Sequence, residues 1–421
     1  MIADFNRALL EYSDLMKQTV EIRDKDFNSV LLECMALHER QNDKFDQIFY
    51  AIKCMIQKSL GGRPLVLYGL PSLVSAGILR VFRKQGLQVA CICDPQGDSG
   101  EFFGVPIISP QTLKNDFTDA TVMVCANSHN NETENVLTVL GFPQHRIIPW
   151  ELVQSLIKIN LPKLLDSSLV EPLKSFQRHI NKYSWAYDLF EDEQSRQTVL
   201  VWLRNKLLNI PMDMPSPCEK YFEESYISFG DHEIFVDGGA NEGESAIAFI
   251  KQIEAAKAGY AHIYSFEPDS IHHAQTVKNL SEYPNVTVLP KGMWHSEAEL
   301  TFLQEGMAGT GSSFVSFSRY VPIGTIEQNV PVTSLDILFA GTSDSDLPTF
   351  IKMDIEGAEK EALIGASDII RRVKPKLAIC AYHKPEDLYV LPQTILGIRD
   401  DYRFALRQHA PELHEIILYA V

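Results

Sequence analysis

No stretch of the chain approaches the roughly 20 consecutive apolar residues that a helix needs to cross a bilayer, so no helical membrane span is expected. The amino terminus, Met1-Ile-Ala-Asp-Phe-Asn-Arg, lacks the basic start and apolar core of a secretory signal. Among seven cysteines there is no Cys-x-x-Cys pair, which leaves neither a zinc signature nor a disulfide framework. These absences lead to the expectation of a cytoplasmic protein with free thiols. Positive charge is also scarce: 38 Lys and Arg against 55 Asp and Glu give a formal charge of −17. Such a surface offers few cations to nucleic acid or to an anionic membrane, and neither partner is expected.

Proline is missing before Pro64 and glycine before Gly61. Residues 1–60 therefore read as a helical arm, with apolar side chains set among Glu, Lys, Arg and Gln at helical spacing. Its apolar positions, Leu31, Leu32, Met35, Phe45, Ile48, Phe49 and Ile52 among them, suit a core or a subunit interface. A homo-oligomer built through these helices is one expectation.

A complete dinucleotide fingerprint is missing as well. Residues 61–150 alternate strand-like and helix-like runs, and read as a small Rossmann-like accessory domain with Asp94 where a ribose would lie. Its first loop, Gly69-Leu-Pro-Ser-Leu-Val-Ser-Ala-Gly, is not Gly-x-Gly-x-x-Gly, so a scaffold that holds no ligand stands beside a nucleotide-binding domain as a reading. This region resembles the nucleotide-binding-like domains attached to sugar-modifying enzymes, through its Gly104-Val-Pro-Ile-Ile-Ser-Pro run. Residues 151–219 are helical again and broken by Pro162, Pro172, Pro211, Pro215 and Pro217. They form a helical bridge whose aromatic run at 183–190 is expected to dock on the carboxy-terminal domain.

The remaining residues, 220–421, carry the chemistry. Ile234 to Val236 form an apolar run without polar alternation, as a strand buried on both faces would, and it ends on Asp237. Gly238, Gly239 and Gly243 come next, and then Ile247, Ile250 and Ile253 recur three apart as one stripe of a helix. The loop alone would serve either of two cofactors. An acid set before the glycines repels a pyrophosphate and suits a cofactor with an ammonium and a sulfonium, such as S-adenosylmethionine. The next strand ends on Glu267, thirty residues after Asp237. In a doubly wound sheet these two acids sit at neighbouring strand tips, Asp237 near the methionine ammonium and Glu267 near the ribose hydroxyls. Asp269 is either a second cofactor contact or the cap of the next helix. The turn after the third strand brings Gly292, Met293 and Trp294, where adenine would pack, with core as the other reading for Trp294.

A second run of strand, acid and turn is Ile351-Lys-Met-Asp-Ile-Glu-Gly-Ala-Glu. Together with Val236-Asp-Gly-Gly-Ala-Asn-Glu-Gly, Ser265-Phe-Glu-Pro-Asp, Thr333-Ser-Leu-Asp and Ala381-Tyr-His-Lys-Pro, it resembles the FkbM family of S-adenosylmethionine-dependent methyltransferases. The resemblance runs over about 220–421. It implies an α/β fold, a doubly wound class I methyltransferase-type sheet ending in an antiparallel hairpin, beside the smaller Rossmann-like domain and the helical connecting segments. It also implies methyl transfer to an oxygen, commonly of a sugar or secondary metabolite, so the expected partner is a small-molecule or carbohydrate acceptor. For the cofactor it points to Asp237, Gly238, Gly239, Asn241, Gly243, Glu267, Asp269, Gly292 and Met293. On the acceptor side, placement at the ends of the fourth and fifth strands makes His383 the expected proton acceptor with Asp354, and Glu356 an expected contact. Ser312 and Ser313, which match the family's serine pair, are expected to touch cofactor or substrate from within a small polar loop at 306–314 that reads as a lid. A divalent metal held by Asp354 with Glu356 or His383 is left open, since no diagnostic ligand spacing compels one. Glu356 and Glu359 are equally explained as first-turn acids of a helix. Two competing readings remain: a non-catalytic nucleotide- or nucleotide-sugar-binding protein acting through 61–150, and an NAD-dependent oxidoreductase, which both imperfect glycine loops disfavour.

Overall fold

The computed structural model describes residues 17–69, 86–95, 100–125, 130–148, 172–208, 216–304, 313–314, 326–410 and 415–421, with isolated positions among 11–15 and 75–83. The chain divides into two compact units: Met1–Glu21, Leu31–Lys174 and Leu207–Asn209 make one, and Ile22–Val30, Ser175–Lys206 and Ile210–Val421 the other. Helix α1, Phe27–Leu60, runs 34 residues, as a stretch without internal proline or glycine allows. Among the described residues no helix is long and apolar enough to cross a membrane.

The first unit holds strands β1 (Leu65–Tyr68), β2 (Cys91–Cys93), β3 (Gly100–Phe102), β4 (Val105–Ile108), β5 (Thr121–Val124) and β6 (Ile147–Ile148). Helix α2 (Pro110–Asp116) connects β4 to β5, and α3 (Asn130–Val139) lies between β5 and β6. The strands form one sheet in the order β3-β4-β2-β1-β5-β6, and only the β3–β4 pairing is antiparallel. Every residue of β1, β2 and β5 is buried, so both faces of the sheet are covered there. Cys91 and Cys93 belong to this core, and burial pushes both thiols up to about 12, which makes them poor nucleophiles. Asp94, at the end of β2, is 1% exposed. Residues 70–74 of the glycine loop expected to meet a nucleotide lie outside the described residues.

The second unit is built on strands β7 (Glu233–Gly238), β8 (Tyr260–Phe266), β9 (Val286–Leu289), β14 (Phe350–Met353), β15 (Lys376–Cys380), β16 (Phe404–Gln408) and β17 (Ile416–Ala420). Their order is β16-β17-β15-β14-β7-β8-β9. The five strands from β9 to β15 are parallel, while β17 runs antiparallel to both of its neighbours. This is the doubly wound sheet expected, with its closing hairpin in β16 and β17. The chain builds outward from β7 through β8 to β9, then returns to place β14 on the other side of β7. The crevice at that reversal, outside the carboxyl ends of the strands, is where such sheets bind ligands.

Apolar burial fixes these strands. Helices α4 (Pro172–Leu189) and α5 (Glu193–Leu208) precede the sheet in sequence. Tyr183 meets Tyr389 edge to face at 5.0 Å, the Leu406 amide donates to Ser195 Oγ, and Arg407 pairs with Asp192 at 3.0 Å. The aromatic run at 183–190 does dock where expected. Phe235 of β7 stacks on Phe249 with centroids 4.4 Å apart and meets Phe350 of β14 at 5.1 Å. Phe249 lies on helix α6 (Glu244–Ala256), whose buried residues are Ala246, Phe249, Ile250 and Ile253. The expected isoleucine stripe is thus shifted by part of a turn, and Ile247 is only half-buried.

One element was not anticipated. Between β9 and β14 lies a small sheet of β10 (Gly292–Met293), β11 (Ala298–Gln304), β12 (Ser313–Phe314) and β13 (Ile326–Thr333), in the order β10-β13-β11-β12. Trp294 packs half-buried against its cluster of Val330, Val332 and Ala358.

Candidate functional site

The carboxyl ends of β7, β8 and β14, with the segment after β15, surround a cavity of about 800 Å³. A glycine is required where β7 and β14 come together. Gly239 has φ +74°, and a Cβ there would fall inside the envelope of the Asp354 carbonyl oxygen.

Asp237 does not sit on the described wall of this cavity. Its carboxylate is fully buried, Oδ1 lies 2.9 Å from Lys352 Nζ, and Oδ2 accepts a 2.7 Å hydrogen bond from Ser245. Lys352 also donates to the carbonyls of Gly238 and Gly239, and its ammonium rests 5.1 Å from the centre of the Tyr221 ring. In β14 this lysine is directly opposite Asp237 of β7. A charged side chain inside a strand buried on both faces needs such a partner.

Glu267 is on the wall, just past β8. Its Oε2 accepts from the Asn241 amide at 2.8 Å and its Oε1 from the Asp269 amide at 2.9 Å. Burial pushes its pKa up to about 7, partly offset by those two amides. Asp269 caps helix α7 (Ser270–Leu280) by accepting from the Ile271 and His272 amides, so the capping reading holds, and it also lines the cavity. Asn241, Gly239, Gly292, Met293 and the half-buried His272 line the same space. Gly243, at φ +88°, is the N-cap of α6 and packs toward Leu280. Glu244 and Ser245 come after it, at a helix start that no side chain caps, and face the cavity.

Across the cavity, Asp354 is the hub of a polar cluster. Tyr221 donates to its Oδ2 at 2.7 Å and Tyr382 to its Oδ1 at 2.9 Å, while Lys220 Nζ lies 3.6 Å from Oδ2. Burial alone would raise the pKa of this carboxyl. Lys352, His383, Lys220 and the Tyr221 hydroxyl hold it well below the usual range instead. His383 Nε2 lies 3.5 Å from Asp354 Oδ1 and 3.6 Å from Glu356 Oε2, and Nδ1 is 2.9 Å from Glu359 Oε1. Burial would push this imidazole down, but the carboxylates of Glu359, Asp354 and Glu356 override it and raise its pKa to about 10. These three carboxylates favour the protonated imidazole. Glu359 is a first-turn acid of its helix, as one reading expected, but a buried one: it is 1% exposed and accepts from the Ile355 and Gly357 amides.

The fold thus brings Asp354, Glu356 and His383 to one side of the cavity and Glu267, Asp269, Asn241, Gly292 and Met293 to the other. Residues 306–312 of the expected lid, Ser312 among them, lie outside the described residues, and Ser313 is in β12 without a described side chain. Sequence reasoning missed Lys352, Lys220, Tyr221 and Tyr382. A signal existed for Lys352, a lone cation in the apolar run Phe350-Ile-Lys-Met.

A family model for the methyltransferase FkbM domain matches residues 237–409. No protein of curated function matches the sequence. Among solved structures, the chain is similar to a crystal structure of methyltransferase FkbM from Methylobacillus flagellatus KT, with 24% identity, a TM-score of 0.51, and coverage of 87% of this chain and 93% of that one. An rRNA methylase from Streptococcus thermophilus overlaps at 14% identity and a TM-score of 0.28, over 48% of this chain and 90% of that one. A putative methyltransferase from Streptococcus mutans, solved in complex with SAH, overlaps at 11% identity and a TM-score of 0.28, over 48% of this chain and 94% of that one. The two looser overlaps carry no weight.

Proposed function

We propose that the chain moves a methyl group from S-adenosylmethionine to an acceptor hydroxyl, of a sugar, glycan or secondary metabolite; the match of residues 237–409 to the methyltransferase FkbM domain supports this reading. The observation that carries the cofactor assignment is Glu267, a carboxylate buried at a strand tip with one amide on each oxygen and further lone pairs toward the cavity. Two ribose hydroxyls satisfy such a group. Gly292 and Met293 offer the adenine a buried strand in the cavity wall, and the amides at the start of α6, beside Glu244 and Ser245, suit the methionine carboxylate. The residues present fit the cofactor.

Held there, the cofactor would supply a methyl group on a sulfonium leaving group, for transfer to the acceptor oxygen with the thioether left behind. The chain's task is then alignment and exclusion of water, which is worth several kcal/mol of barrier, about 7 or more when alignment is good. Asp354, Glu356 and His383 hold the acceptor hydroxyl. The proton it sheds leaves to bulk water past Glu356, whose side chain is 36% exposed against 18% for Asp354 and 8% for His383.

The test is incubation of the purified chain with methyl-labelled S-adenosylmethionine and panels of sugars, glycans and fractionated cell extract, with products read by mass spectrometry. Label recovered as a methyl ether is expected. Label found only on nitrogen or carbon would contradict the hydroxyl acceptor.

A further inference from the structure

The acceptor side of the cavity holds an arrangement that methyl transfer does not by itself require. Asp354, Glu356 and His383 each turn one donor atom inward, and the three atoms lie within 4.8 Å of one another. A point between them falls within the coordination distance of a hard divalent cation, about 2.0 to 2.6 Å. His383 supplies an independent sign. Its side chain is 8% exposed, it lines the cavity, and Nε2 makes no hydrogen bond among the described residues, lying 3.5 and 3.6 Å from two carboxylates.

The carboxylate behind the ring completes the pattern. Nδ1 is 2.9 Å from Glu359 Oε1, and that carboxylate is 1% exposed and fixed by the amides of Ile355 and Gly357. A carboxylate behind an imidazole fixes the ring and its tautomer so that the other nitrogen faces a metal. The loop contributes as well, since Glu356 adopts φ 55°, a left-handed conformation that few non-glycine residues take. Lys220 and the Tyr221 hydroxyl lie at Oδ2 of Asp354, while Oδ1, which faces His383, accepts from the Tyr382 hydroxyl at 2.9 Å and keeps a second lone pair for an ion.

We propose that Asp354 Oδ1, Glu356 Oε2 and His383 Nε2 bind one divalent cation of the Mg²⁺ or Mn²⁺ type, which presents its remaining positions to the acceptor's oxygen. Two carboxylates and one imidazole favour such an ion, and no thiolate is among the donors. The role assigned to the ion rests on the methyl-transfer reading; the binding does not.

The full-length chain, stripped with a chelator, is titrated with Mn²⁺ alone and the free-ion signal is followed by electron paramagnetic resonance. One saturable Mn²⁺ per chain is expected, with Glu356→Gln and His383→Gln each weakening it at least tenfold. Calorimetry with S-adenosylhomocysteine on the same samples, expected to give unchanged affinity, shows that both variants are folded around an intact cofactor side. Absence of saturable Mn²⁺ binding, or undiminished binding in both variants, overturns the site. That result alongside S-adenosylhomocysteine binding would leave the methyltransferase reading standing.

Discussion

Lys352 Nζ lies 2.9 Å from Asp237 Oδ1, in a pair whose side chains are 2% and 0% exposed. The same ammonium ties down the carbonyls of Gly238 and Gly239, so the pair clamps the tip of β14 to the tip of β7 at the cavity, which Lys352 helps to line. Asp237 acts first as the counter-charge of Lys352. Removing one partner of a buried pair strands the other, at a cost of about 3–5 kcal/mol. Asp237→Ala and Lys352→Met are each expected to lower the unfolding free energy measured in urea by that order, and the double variant by less than their sum. A stable Asp237→Ala that had lost only cofactor affinity would instead return the carboxylate to the ligand.

Glu267 sets a pH dependence. Its carboxyl rises from an ordinary 4.5 to about 7 in the folded chain, mainly through burial. A raised folded value means that the stabilisation is fully present below the unfolded pKa and is lost as pH climbs to about 7. The loss amounts to about 3 kcal/mol at 1.36 kcal/mol per unit. Relative to wild type, Glu267→Gln is expected to gain stability at pH 8 and to be flat across this window in urea titrations. Ligand affinity runs the other way. Ribose hydroxyls need the ionised acceptor, so S-adenosylhomocysteine should bind more tightly at pH 8 than at pH 6 in wild type, and equally weakly at both in the variant.

Gly239 and Gly341 both have positive φ, +74° and +79°. An added Cβ meets the Asp354 carbonyl at the first and nothing within 4 Å at the second. Gly341→Ala should cost only the left-handed backbone penalty, about 1–2 kcal/mol. Gly239→Ala must also part β7 from β14, and its thermal midpoint should fall well below that of Gly341→Ala. Equal midpoints would mean that the two strand tips are not in close contact.

Much of this was readable in the sequence because burial leaves an unambiguous mark. Ile234 to Val236 and Phe350 to Met353 are short apolar runs ending on acids, and both became central strands with their acids at the ligand edge. What the acids do there was less readable. Lys352 faces Asp237 through a register set between strands more than a hundred residues apart, and no local pattern encodes it. Tyr221 and Lys220 reach Asp354 from the start of the carboxy-terminal domain, ahead of its first motif, so their part in the cluster appears only in three dimensions. The pairing of β11 with β13 joins residues on either side of a long polar stretch, again a non-local choice. His383 was placed correctly at the cavity, but its charge state depends on Glu359, which sequence periodicity assigns to an ordinary helix start.

The central claim is that the cavity between β7, β8 and β14 takes S-adenosylmethionine with Glu267 on its ribose. Calorimetric titration of wild type and Glu267→Gln with S-adenosylhomocysteine and with NAD at pH 8 tests it most directly. One S-adenosylhomocysteine per wild-type chain, at least tenfold weaker binding in the variant, and no heat from NAD are predicted. Binding of NAD without S-adenosylhomocysteine, or equal affinity in the two chains, would contradict it.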